Sequence, residues 1–176
     1  MRHFVVAVAL AAPLLAGCGS SSSSTGDQPA QGCPRVAVLK DLQRLTEFRE
    51  GDGRDVTDRR FEMVFAGLDS TCTYDKTGVT VEITVQIQAT PGLANREPKV
   101  KAQYFAALMD PSGQIVEKEP FEAEAELKER RGELLSEELR QRIPLTSRNE
   151  GPRYSVLFGF QLTPAQLEYV HRVLGR

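Results

Sequence analysis

The chain has 176 residues, with 22 basic and 24 acidic side chains, a net charge of −2, three cysteines and no tryptophan. That mildly acidic balance gives no electrostatic case for binding nucleic acid or an anionic membrane surface.

In chain order, Met1-Arg2-His3 is a short cationic start, and Phe4 to Leu15 is almost wholly apolar, broken only by Pro13. Twelve such residues fall short of the roughly twenty that a membrane-spanning helix needs. The segment therefore reads as a secretory signal, with small residues at Leu15-Ala16-Gly17 ahead of Cys18. Leu15-Ala16-Gly17-Cys18 resembles the lipobox of bacterial lipoproteins. The resemblance implies cleavage after Gly17 and acylation of Cys18 on its sulfur and nitrogen. Two or more acyl chains hold a protein stably on a bilayer, whereas one does so only marginally. Gly19 stands where the same resemblance associates Asp with inner-membrane retention, so the expected location is the periplasmic side of the outer membrane. Gly19 to Gly32, with serine at every position from Ser20 to Ser24, has nothing to bury and is expected to act as a flexible tether reaching roughly 20 Å.

Residues 33–176 then form one domain of ordinary size, with room for a core. With Cys18 acylated, Cys33 and Cys72 remain as an even pair in an oxidising compartment, and a disulfide between them is the natural reading. Closing that loop of about 40 residues stabilises a fold by roughly 4 kcal/mol in the chain-entropy view.

Within the domain, Val36 to Arg49 mixes strand and helix periods and is read as a short strand, a turn of helix and a second strand. Asp52-Gly53-Arg54-Asp55-Val56-Thr57-Asp58 spaces its acids by three, unlike the alternate spacing of a calcium loop, and is read as an exposed turn. Phe61 to Tyr74 is a strand, Asp75-Lys76-Thr77-Gly78 a hairpin turn with Gly78 free to take positive φ, and Val79 to Ala89 a strand of strict alternation. Lys101 to Met109 is apolar on both faces, as in a central strand; Asp110-Pro111-Ser112-Gly113 is a turn, and Gln114 to Phe121 returns as partner.

Glu133 to Gln141 consists of strong helix formers but follows the alternating run Phe121 to Leu127. Helix and strand both stay open there, with hairpin logic favouring strand. Tyr154 to Phe160 is the last strand, where Gly159 marks a bulge or a close approach. Thr163-Pro164-Ala165-Gln166 is a capping box with Pro at the first helical position, and Leu167, Val170, Val173 and Leu174 give the helix an apolar stripe. The expected fold is mainly β: a two-layer antiparallel sandwich, immunoglobulin- or fibronectin-III-like, with a short C-terminal helix.

Cys33-Pro34-Arg35-Val36, Cys72-Thr73-Tyr74, Tyr104-Phe105, Arg142-Ile143-Pro144-Leu145 and Phe160-Gln161-Leu162-Thr163 together resemble a family of uncharacterised bacterial envelope lipoproteins. The resemblance covers most of the mature chain and implies no activity.

Catalytic apparatus is hard to assemble from these residues. His171 is the one histidine of the mature chain, and its place near a helix C-terminus suits a cation there. Neither a nucleophile–histidine pair nor a zinc centre can be built around it. No GxGxxG or GxxxxGK[ST] occurs, so neither a cofactor nor a metal is expected. Fifteen of the 26 residues from Glu117 to Arg142 are charged, which suits a solvated face or a docking surface for a protein partner. Glu122, Glu124 and Glu126 in that run lack the burial that tunes carboxylates for acid–base work. The expectation is a non-catalytic structural or protein-binding module held at the membrane. The alternative is a small-ligand or carbohydrate binder, disfavoured by the absence of Trp and by only four Tyr.

Overall fold

The computed structural model describes residues 32–175 apart from 52 and 128–130. The proposed signal segment, Cys18 and nearly all of the tether lie outside the described residues. Eight strands form two four-stranded sheets. They are β1 (Arg35–Val38), β2 (Arg44–Phe48), β3 (Arg59–Tyr74), β4 (Gly78–Pro91), β5 (Lys99–Met109), β6 (Ile115–Glu126), β7 (Glu133–Pro144) and β8 (Ser155–Phe160). A 3-10 turn, Lys40–Leu42, separates β1 from β2, so the mixed periodicity of that segment resolves as expected. A second 3-10 segment, Arg148–Arg153, precedes β8, and one α-helix, α1 (Pro164–Val173), ends the chain.

One sheet runs β1-β8-β5-β6 and the other β2-β3-β4-β7. Pairing is antiparallel except at β1 and β8, which run parallel, so the first and last strands share an edge. The strictly alternating strand supplies the centre of the core. Val79, Val81, Val85, Ile87 and Ala89 of β4 are wholly buried, and they face Tyr104, Val156, Phe158 and Phe160 of the other sheet. Phe65 meets three of those rings, Tyr104, Phe158 and Phe160, with centroids 4.7–6.5 Å apart.

β5 is buried on its second face as well, at Phe105 and Ala107. The Lys118 ammonium sits 4.1 Å from the Phe105 ring centre. Leu42 closes in beside the same ring over Gly159, where a Cβ would stand 2.7 Å from Leu42 Cβ. Gly159 therefore marks a close approach.

Three sequence expectations are refined. Residues 133–144 are a strand, but β7 pairs with β4 rather than with β6, so β6 and β7 lie in facing sheets. Gly78 is not among the positive-φ glycines of the described residues, which are Gly51, Gly113 and Gly175. It is required because a Cβ there would stand 2.2 Å from the Ile143 carbonyl oxygen on the adjacent strand. The 52–58 turn is exposed only in part. Asp58 is buried, ion-paired to Arg49 at 2.5 Å and accepting from the Asp55 amide at 3.2 Å.

Candidate functional site

The register of the strands separates two ends of the sandwich. At one lie the C-terminus of β3, the start of β4 and the end of β7. Cys33 is disulfide-bonded to Cys72 there, with Cα atoms 5.8 Å apart, tying the segment before β1 to β3 in the other sheet. The Tyr74 hydroxyl donates to the Gly32 carbonyl at 2.9 Å. Arg142 donates to Asp75 Oδ1 at 2.9 Å and to Thr77 Oγ1 at 2.6 Å, and it holds the Asp75 carboxyl well below the usual carboxylate range. Gly32 and Cys33 therefore both lie at this end.

The opposite end is open on one side. β5 has eleven residues, but β8 has six and pairs only with Tyr104 to Met109. Leu162 and the capped start of α1 turn the chain away. Thr163 Oγ1 accepts from the Gln166 amide at 3.3 Å, and the Thr163 amide donates to Gln166 Oε1 at 2.8 Å. Among the described residues, Lys99 to Gln103 therefore have a strand partner, β6, on one flank only.

The space left is a groove of about 540 Å³ between the two sheets. Its floor is apolar: Leu45 and Phe61 from one sheet, Val100 and Ala102 from the other. Polar pairs border it, with Arg60 bridging to Glu97 at 2.8 Å and Gln166 donating to Glu47 at 2.8 Å. From Phe61 to Cys72 there are eleven steps along β3, which at extended-strand rise places the groove about 35 Å from the disulfide.

The residues singled out in the sequence are distributed differently. Glu122, Glu124 and Glu126 stand in a row on β6 and meet Lys99 and Lys101 of β5. Lys101 Nζ lies 2.7 Å from Glu122 and 2.9 Å from Glu124; Lys99 Nζ lies 3.3 Å from Glu124 and 3.5 Å from Glu126. Hydrogen bonds from Lys101, then from Lys99, lower the Glu124 pKa, and the bonds Lys99 makes to Glu124, then to Glu126, raise that of Lys99. A row of ion-paired carboxylates is a poor set of proton donors at neutral pH.

The charged run 117–142 is not one surface. It is split between two sheet edges, and polar contacts stand beside the apolar residues on their inner sides: Gln141 donates to Glu117 at 3.0 Å, and the wholly buried Tyr104 donates to Glu137. Burial, then the Glu137 carboxylate, pushes the Tyr104 phenol up from its ordinary value. His171 faces Asp41 at 3.7 Å, tying α1 to the 3-10 turn after β1. Val170 alone of the α1 stripe is fully buried; Val173 and Leu174 are exposed.

Sequence reasoning missed the groove. The signal available was a mismatch of lengths, since Tyr154 to Phe160 is too short to accompany Lys99 to Met109 before Pro164 starts a helix. Compared with models of known protein families and with characterised protein sequences, the chain matches none.

Proposed function

We propose that this is a lipid-anchored protein of the bacterial envelope, acylated at Cys18, that acts as a non-catalytic binding module for another envelope protein. The observation that carries the reading is the groove beside the half-partnered strand β5, at the end away from the point where the tether joins the domain. A flexible tether joined at Gly32 leaves that end the farther one from the attachment point. The disulfide, the Tyr74–Gly32 bond and the Arg142–Asp75 pair hold the attachment end rigid against it. The apolar floor with a polar border has the composition of a recognition patch, whose buried centre is less charged than its rim.

Two measurements test this. Replacing Cys18 with Ser in the full chain should shift the protein from the membrane to the released or unprocessed fraction, and unchanged membrane association overturns the anchor. A photo-crosslinker at Gln103, in the groove, should capture a discrete protein in intact cells, while one at Ser112, on the opposite-end hairpin, should not. Equal capture from both positions, or from neither, overturns the binding reading.

A further inference from the structure

We infer that the open flank of β5 receives an extended segment of a partner protein as an added antiparallel strand, and that this segment alternates acidic with apolar residues. The inference rests on the binding-module reading and names how the partner is gripped.

Main-chain groups of a strand point alternately to its two sides. The Pro98 carbonyl accepts from the Leu127 amide at 2.7 Å, on the flank facing β6. The Gln103 carbonyl accepts from the Gln161 amide at 2.8 Å, on the flank facing β8. Lys99 and Lys101 share the parity of Gln103, so their N–H and C=O groups point into the groove, past the place where β8 has ended. An unpaired row of this kind is a template for another extended chain, and strand addition is a recurrent mode of peptide recognition. Gln161 is still in antiparallel register when the chain departs, so an incoming antiparallel strand continues a ladder already begun.

The free edge of the neighbouring strand β6 is guarded. β6 carries Pro120 opposite Phe105, a position whose missing N–H faces away from β5, and it turns Glu117 and Glu119 to the same side as its buried alanines. Proline and inward-pointing charge are the usual devices against strand addition. The flank of β5 from Lys99 to Gln103 has neither.

The residues that suit this flank are indicated by what occupies the other. There β6 presents Glu122, Glu124 and Glu126 outward to Lys99 and Lys101, and buries Ala123 and Ala125 completely. Outward side chains of a strand on the open flank have Cβ atoms about 5 Å from those of Lys99 and Lys101, whose long exposed arms can be shared between β6 and the added strand. The glutamates of β6 lie one strand further, about 10 Å, where salt screens them. Its inward side chains meet the apolar floor at Leu45 and Phe61, which favours apolar residues, as Ala123 and Ala125 fill the inner side of β6.

The test uses full-length protein in detergent and a synthetic, end-blocked peptide copying residues 121–127, Phe-Glu-Ala-Glu-Ala-Glu-Leu. Controls are a scrambled peptide and a counterpart with Lys for each Glu. Saturable binding is expected, with slowed amide exchange at Lys99 and Lys101, and about three- to tenfold weaker binding of the Lys counterpart. Lys101→Pro removes the groove-facing N–H and leaves the β5–β6 bonds intact, so it should weaken binding about tenfold or more while the disulfide and unfolding midpoint persist. Lys101→Glu, which keeps the N–H, should reverse the preference between the two charged peptides. No saturable binding, or binding and exchange indifferent to Lys101→Pro, overturns strand addition. If capture from Gln103 still succeeds in cells, the binding module stands and only its mode of grip is wrong.

Discussion

At one end of the sandwich the chain is fastened three times over, and at the other a strand is left without its neighbour. The fastened end has the Cys33–Cys72 bridge, the Tyr74 bond to Gly32 and the Arg142 contacts to Asp75 and Thr77. The open end has β5 continuing for five residues beyond the last one paired with β8. Both belong to one core, so the difference is not one of packing. It lies in which main-chain groups are satisfied. Buried or sheltered N–H and C=O groups without partners are costly, and proteins seldom leave them so without use.

The largest expected effect attacks the fastened end. Cys72→Ser should lower stability by roughly 2–5 kcal/mol in urea unfolding, because it releases a closed loop of 39 residues' separation. Amide exchange should quicken first near Tyr74 and Gly78; a uniform change along β3 and β4 would break the distinction between the ends. Gly78→Ala, also at that end, should cost about 1–3 kcal/mol, since the Ile143 carbonyl must be displaced.

Between the ends, Tyr104→Phe should cost about 1–2 kcal/mol by leaving the half-buried Glu137 without its donor. It should also alter the alkaline limb. The Tyr104 phenol is raised in the folded protein, so the neutral form is favoured there; that stability is fully present below the unfolded value near 10 and is lost as pH rises beyond it. The variant should lose less stability above pH 10, and an unchanged alkaline limb would contradict the assignment.

At the acid side, Asp75 and Glu124 are both lowered, one at each end. Their contribution is present above the unfolded value near 4 and disappears as pH falls through the folded values. Carboxyl titration by NMR should place both below ordinary Asp and Glu. The smallest effect is expected for Lys99→Ala, whose side chain is more than half exposed: no resolvable change in unfolding midpoint, though the proposed peptide should bind less well.

Much of the fold was legible because its signals are local. The alternation from Val79 to Ala89 specifies a half-buried strand whatever surrounds it, and Thr163 to Gln166 carries its own cap. With Cys18 set aside as the proposed acylation site, Cys33 and Cys72 make a pair by count alone, and that pair is bonded. Glu133 to Gln141 is ambiguous in sequence because its propensity is helical, and pairing with β4 overrides it. Gly78 was misread for a similar reason: the turn sequence suggests positive φ, while the actual demand comes from Ile143, 65 residues away.

The amino-acid sequence by itself therefore determined the alternating strands, the terminal helix and the matched cysteines, since periodicity, capping and pairing number are properties of short stretches. Only the tertiary structure decided that β6 and β7 part into facing sheets, that the acidic row of β6 is consumed by Lys99 and Lys101, and that β8 stops short of β5. Those outcomes depend on which segments meet across the core and on how far each runs alongside the other. No single segment carries that information, and the groove exists only as a difference in length between two strands.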